Sequence, residues 1–253
     1  MRSSNFLSLH TVESPLLVGN FWNLQSVQIM AEAGFPVLGS SSAAIAADRG
    51  LKDGEVLAFS DALNVCIAAV EQFDGPVSMD FEAGYASTLE GITANAECVY
   101  AAGIDGLNLE DSLKTSSGLR HIDEQCRIIE AVKQVQNAHV DGGVLNARID
   151  TFLQGDDLDN TVIRAKAYIK SGADCVFVPG LLDVSLLARL CSEVSAPVNA
   201  MLLPGTKVSV NDLSGAGVAR ISFGNFFRDS IQKTSVASAK RFLASGEPSY
   251  LVN

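Results

Sequence analysis

Short apolar, β-branched runs alternate with longer segments of helical period along most of the chain. The runs predict strands over 16–19, 36–39, 76–80, 106–109, 143–147, 175–178, 198–202 and 219–223. The 3.6-residue pattern predicts helices over 24–33, 61–72, 88–102, 123–137, 158–171, 184–194, 210–216 and 226–244. Gly34, Gly103, Gly172 and Gly217 each close a helical segment just before the next strand, as left-handed capping favours. Runs such as Val176-Phe177-Val178-Pro179 look apolar on both faces, which a parallel sheet covered by helices requires. Eight βα units in about 250 residues predict a single α/β domain over 1–253, a (β/α)8 TIM barrel. An open doubly wound sheet is the rival, weakened because no G-x-G-x-x-G follows the first strand.

Composition narrows the partners. The chain has 253 residues, 47% hydrophobic and 19% charged, enough to bury a large core and too apolar for disorder. A net charge of −11 argues against nucleic acid, which needs a lysine- and arginine-rich surface, and gives no support for an anionic membrane. A small anionic substrate stays compatible, because a local cation or metal outweighs the global field. No apolar run approaches the ~20 residues that span a bilayer, and Met1-Arg2-Ser3-Ser4-Asn5-Phe6 lacks the long apolar stretch of a signal peptide. Cys66, Cys98, Cys126, Cys175 and Cys191 are scattered and odd in number, so they are expected to be reduced thiols, mostly packing residues, in a cytoplasmic protein.

In a parallel barrel, chemistry collects at the C-terminal ends of the strands. There the sequence places Asn20, then Ser40, Ser41 and Ser42 with Asp53 on the following loop, then Asp80 and Glu82, Glu110 and Asp111, and Arg148 and Asp150. Strand alternation is expected to bring Asp80 and Glu82 to the same side, so that four carboxylates (Asp80, Glu82, Glu110, Asp111) converge on one rim. Like charges that close need a compensating cation, and a hard divalent ion with oxygen ligands, Mg2+, fits best. Arg148 suits a bidentate contact to a substrate acid group. The bland alternatives are solvated carboxylates at 80 and 82, a structural ion pair for Arg148, helix N-capping by Ser40–Ser42 and a turn aspartate at 53. Of the histidines, His10 and His139 fall on the stability face, and His121 is a weak candidate for the mouth.

Five motifs in order carry a family resemblance: Gly39-Ser40-Ser41, Asp53 within Gly50-Leu51-Lys52-Asp53-Gly54, Asp80-Phe81-Glu82-Ala83-Gly84-Tyr85, Asn108-Leu109-Glu110-Asp111 and Asn146-Ala147-Arg148-Ile149-Asp150. Together, from about Leu16 to Asn225, they resemble the isocitrate lyase / phosphoenolpyruvate mutase superfamily, including its phosphonomutase-like members. The resemblance implies a barrel whose last helix is exchanged between subunits of a homodimer or homotetramer. It implies Mg2+ held directly at Asp80 and through waters at Glu82 and Glu110. Ser40, Ser41, Ser42 and Arg148 would hold the acid groups of a 2-oxo acid, with Asp53 nearby. The shared chemistry is an enolate-like oxyanion stabilised by the metal.

The departures narrow the substrate. The Lys-Lys-Cys-Gly-His loop of the bond-cleaving lyases is replaced by Ser112-Leu113-Lys114-Thr115-Ser116-Ser117-Gly118, and strands six and seven end in small or apolar residues. A tricarboxylate would leave acid groups unpaired there, at about 1–3 kcal/mol or more each. The mutase loop is kept at Lys114-Thr115, but Leu38 stands where the mutases carry tryptophan, and Glu82 replaces the usual second aspartate. The leading expectation is a Mg2+-dependent carbon–carbon lyase on a small 2-oxo or 2-hydroxy acid, with Asp53, Glu110, Arg148 and Lys114 as catalytic candidates. The alternatives are phosphonopyruvate mutase or hydrolase chemistry, and a non-catalytic metabolite-binding member.

Overall fold

The computed structural model describes residues 2–114 and 116–248. Eight parallel strands close into one barrel: β1 (Leu16–Phe21), β2 (Val37–Ser40), β3 (Val77–Asp80), β4 (Gly106–Glu110), β5 (Val144–Arg148), β6 (Cys175–Phe177), β7 (Val198–Met201) and β8 (Arg220–Ser222). Each pairs with its sequence neighbours and β8 returns to β1, so no edge is left open. The helices are α1 (Leu24–Glu32), α2 (Ser42–Asp48), α3 (Phe59–Gln72), α4 (Leu89–Ala101), α5 (Ile122–His139), α6 (Leu158–Lys170), α7 (Val184–Glu193), α8 (Val210–Gly215) and α9 (Phe226–Ser245). All eight expected strands and eight expected helices are present within about two residues of the predicted ends. The additional helix α2 begins at the Ser40–Ser42 turn, where the sequence predicts helix N-capping or an anion contact but no separate helix. Its seven residues are too short for a periodic signal, and Ser41 caps it by accepting the Ala44 N–H.

Helix ends obey the glycine rule where the chain must turn sharply inward. Gly34 and Gly103 follow α1 and α4 at φ 86° and 89°, a conformation that costs other residues a Cβ clash. A second glycine, Gly106, is required by space. A Cβ there would stand 2.7 Å from the Phe6 ring and 2.6 Å from the Val144 carbonyl oxygen.

The barrel interior departs from the apolar expectation. Its floor is apolar: Phe6, Leu16, Val18, Val37, Val144 and Cys175 pack together. Above them lies a polar layer in which Asn146 donates to Asn108 at 2.8 Å and Arg220 lies over the Phe6 ring at 5.3 Å. Arg220 also reaches Asn108 from β8, across the barrel from β4, with Nη2 3.5 Å from Oδ1. A run such as Gly143-Val144-Leu145-Asn146 looks uniformly core-like, yet Asn146 faces a narrow cylinder where polar groups are only partly paired: Asn146 donates to Asn108, while its own Oδ1 and the Ser78 hydroxyl are buried without a partner among the described residues. The five cysteines are free, but only Cys66 and Cys175 are buried and Cys98 is exposed, fewer than expected. Among the described residues no helix is long and apolar enough to cross a membrane.

His10 belongs to the closed end of the barrel. Its ring stacks at 5.3 Å on Phe6, and Nδ1 lies 3.0 Å from the Phe6 carbonyl oxygen. Burial, and then the Arg220 charge, pull its pKa down from 6.5 to about 4. The unfolded chain therefore takes up a proton near pH 6.5 that the folded protein refuses until about pH 4, so stability falls as pH drops through that window. We expect His10→Gln to lose less melting temperature than the wild type between about pH 7.5 and about pH 5 in thermal scans. An unchanged acid loss would contradict this assignment.

Candidate active site

The C-terminal mouth of the barrel opens into a cavity of about 170 Å³. Asn20, Ser40, Ser41, Ser42, Asp53, Asp80, Asn108 and Arg148 line its polar side, and Leu153, Phe177, Pro179 and Met201 its apolar side. Asp80 ends β3, where α2 begins beside it. The Ser42 N–H and hydroxyl donate to its Oδ2 at 3.0 and 2.8 Å, and its other oxygen takes no hydrogen bond among the described residues. The Ser40 hydroxyl accepts the Asp80 N–H at 2.8 Å. Ser40, Ser41 and Ser42 thus build the Asp80 corner and cap α2, so their hydroxyls are engaged by the protein itself. Asp53 reaches the same cavity from its loop, and its charge acts on Glu82.

Glu82 arrives by a different route from the one its spacing suggested. β3 stops at Asp80, so strand alternation does not place it. Its backbone sits at φ 46°, and Tyr85 follows at φ 54°. Side chains with a Cβ adopt this left-handed region at a cost, and such strain persists where the surroundings over-determine it. Here Glu55 Oε1 accepts the N–H groups of Ala83 and Tyr85, both at 2.9 Å, and the Tyr85 hydroxyl donates to Glu82 Oε1 at 3.0 Å.

Glu110 and Arg148 are direct partners in the β4–β5 ladder, so the fold itself sets their side chains side by side. Arg148 Nη1 lies 2.9 Å from Glu110 Oε2, while Nε and Nη2 donate to Asp150 at 2.6 and 3.1 Å. The 2.9 Å contact is an ion pair without an aligned N–H, so Glu110 Oε2 is buried and lacks a hydrogen bond. Lys114, on the loop after β4, places its ammonium between the two glutamates, 2.8 Å from Glu82 and 2.5 Å from Glu110. Burial pushes the Glu82 carboxyl up against the pull of Lys114. Burial likewise lifts Glu110 to about 7, opposed first by Arg148 and also by Lys114. Burial alone would lower both cations, but the facing carboxylates override it and hold them above their ordinary range. The cations at 2.5 and 2.9 Å favour the anionic form of Glu110 against that burial.

Asp111 does not join the rim. It is fully buried behind the mouth, where its carboxylate accepts the Asp150 N–H at 3.0 Å, Tyr168 Oη at 2.8 Å and Arg164 Nη1 at 3.1 Å. Its neighbour in sequence faces the barrel, and one step along a strand reverses the face. Arg120 and Gln125 bind the Glu110 carbonyl oxygen, and Arg120 also binds that of Ala83, tying the two acidic turns together. These partners come from α5, α6 and the loop before α5, and no local spacing announces them. Of the histidines, His121 caps α5 in the open, and His139 lies 2.6 Å from the exposed Glu97, so neither is at the mouth. Thr115, half of the mutase-like Lys-Thr pair, lies outside the described residues.

The arrangement defines a (β/α)8 barrel with an acidic, cation-bridged mouth. The chain belongs to the phosphoenolpyruvate phosphomutase family, whose sequence model matches residues 6–243. It is 33% identical over 247 residues to an uncharacterized protein of Mycobacterium tuberculosis, covering 96% of this chain and 90% of that one. It is 24% identical over 201 residues to the 2-methylisocitrate lyase of Escherichia coli, covering 77% and 68%. The crystal structure of a candidate phosphonomutase from Burkholderia cenocepacia superposes with a TM-score of 0.88 at 36% identity, covering 93% of this chain and 97% of that one. The family and its named relatives are thus lyases and mutases of small carboxylates or phosphonates.

Breaking a buried ion pair by removing one partner strands the other charge. We expect Arg164→Leu to lower the unfolding free energy in urea by about 3–5 kcal/mol, because Asp111 would stay buried without its cation. A loss under about 1 kcal/mol would show that Tyr168 and the Asp150 N–H suffice.

Proposed function

We propose that this protein is a Mg2+-dependent lyase that cleaves a small 2-oxo or 2-hydroxy carboxylic acid through an enolate-like intermediate. One observation carries the reading: Asp80 and Arg148 line one small cavity together with Leu153, Phe177, Pro179 and Met201, and Glu110 and Glu82 stand behind them, Glu110 paired to Arg148 and both glutamates bridged by Lys114. The donor set suits the metal. Asp80 offers a cavity-side oxygen without a hydrogen bond, and Glu110 Oε2 is a buried acceptor without one. Among the described residues no three acidic, histidine or cysteine side chains close to ligand distance around one point. A single direct carboxylate with water-mediated neighbours is the arrangement that Mg2+ favours over an all-protein cage. When bound, the ion supplies a Lewis acid against which negative charge develops on the substrate.

The chain's own residues supply the rest. Arg148 has five N–H donors, two of them on Asp150, and Nη1, although 2.9 Å from Glu110 Oε2, aims no N–H at it and keeps its donors for a substrate carboxylate. Asp150 holds that guanidinium in one orientation, itself fixed by the Ser112 hydroxyl at 2.6 Å. Phe177, Pro179, Leu153 and Met201 exclude water and offer no cation to a second or third acid group, which favours a small mono- or dicarboxylate. Lys114 is the proton donor nearest the acidic cluster and the candidate for protonating the product carbanion. Lys114 equally favours a second reading, phosphonopyruvate mutase or hydrolase chemistry, because an ammonium there can take a phosphonate.

The subunit arrangement follows from α9. None of its 20 residues is buried, and Ile231, Val236, Phe242 and Leu243 are exposed, while only its first turn packs through Phe227 on Phe35 and Phe223. We read this helix as the one exchanged in a homodimer or homotetramer, and light scattering should give a multiple of 26.7 kDa.

Purified protein is expected to release a pyruvate-like product from oxaloacetate or a 4-hydroxy-2-oxo acid, to lose that activity in EDTA and to regain it with Mg2+. Asp80→Asn should lower kcat/KM by about 100-fold or more. A changed phosphorus NMR spectrum with phosphonopyruvate, and no pyruvate from the carbon acids, would move the assignment to the second reading. Ligand-induced stabilisation without turnover of either would remove catalysis altogether.

A further inference from the structure

Among the described residues the Lys114 ammonium is the one cation lying between Glu82 and Glu110, with their Oε2 and Oε1 at 2.8 and 2.5 Å. Glu82 and Glu110 are 3% and 2% exposed, so neither can be left to water. Two buried carboxylates held close would repel and protonate without a cation. The lysine is tethered but not locked. The base of its loop is fixed by the Ser112–Leu119 bridge, by the Ser112 hydroxyl on Asp150 and by Arg120 on Ala83 and Glu110. Lys114 itself is one-fifth exposed, and its ammonium bonds only the two glutamates among the described residues.

We infer that Lys114 is a tethered surrogate cation, which holds Glu82 and Glu110 together in the metal-free protein and leaves them when a divalent ion takes up those oxygens. The inference rests on the metal reading above. Its physical ground is competition. An ion at Asp80 whose hydration shell is ordered by Glu82 and Glu110 draws on the same lone pairs as the ammonium. Two cations a few ångströms apart in a partly buried site also repel strongly. The exchange needs no co-reactant: Asp53, Asp80, Glu82, Glu110 and Asp150 against Arg148 and Lys114 leave three negative charges, of which a divalent ion neutralises two. The released ammonium then stands on its loop beside the cavity, where an anionic substrate replaces the partners it gave up. Metal loading and substrate capture are thereby linked through one side chain.

The test reads the amine, not turnover. The full-length wild-type protein is labelled with an amine-reactive acylating reagent at fixed ionic strength, with and without MgCl2, and each lysine is quantified by mass spectrometry. Magnesium binding is measured on the same sample by calorimetry. We expect Mg2+ to raise Lys114 labelling severalfold while Lys133, which pairs with Asp174, stays unchanged. Lys114→Met should bind Mg2+ about tenfold more tightly, since it removes both the competitor and one positive charge. Lys114→Arg keeps the charge and should bind no more tightly than the wild type. Mg2+ bound with Lys114 labelling unchanged or reduced overturns this inference and leaves the metal reading standing. No binding to any of the three proteins overturns both.

Discussion

The structure depends on neutralising carboxylates that the barrel buries at its own mouth. β4 and β5 pair in a register that sets Glu110 beside Arg148, and the loop after β4 returns Lys114 to the other side of the same carboxylate. Water cannot do this work, because Glu110 is 2% exposed and an isolated buried carboxylate would take a proton instead. A second ring supports the first. Asp150 orients Arg148, and Asp111 receives the Asp150 N–H while being held by Arg164 and Tyr168. Removing a member of the outer ring therefore disturbs the inner one through backbone and side chain together.

The turn after β3 stores strain for the same purpose. Glu82 and Tyr85 have positive φ, and Glu55, also at φ 63°, accepts two N–H groups of that turn. A regular strand continuing past Asp80 would alternate its side chains between the barrel interior and the surrounding helices. The left-handed residue at 82 instead turns a carboxylate across the mouth toward Lys114. Beside this charged half stands a wall of Phe177, Pro179 and Met201. One side can hold an anion and the other can keep its reacting end dry, a division suited to stabilising charge that develops only during reaction.

Much of this was legible in the sequence because it is local. Hydrophobic period, glycine caps and strand-end positions gave the eight βα units to within about two residues, and with them the side of the barrel where Asp80, Glu110 and Arg148 stand. What was not legible is either short or long-range. α2 is shorter than two helical turns, and Ser40–Ser42 look alike for capping an element and for binding an anion. Asp111 looks the same as Glu110 until the strand face is known. Its partners lie far along the chain at Arg164 and Tyr168. Glu82 reached the site for a reason alternation does not contain, and the six polar side chains at 20, 78, 108, 146, 199 and 222 line a cylinder that no single strand reveals.

On the proposed function, the acids at the mouth form a divalent-ion site beside a guanidinium that holds a substrate carboxylate. Crystals grown with Mg2+ and oxalate, a small dianion resembling an enolate, test it most directly. An octahedral ion is expected about 2.0–2.1 Å from an Asp80 oxygen. Waters should join it to Glu82 and Glu110, the dianion should lie on Arg148, and the Lys114 ammonium should be gone from between the glutamates. Oxalate absent from the mouth, with the ammonium still bridging Glu82 and Glu110 and no ion at Asp80, would contradict it.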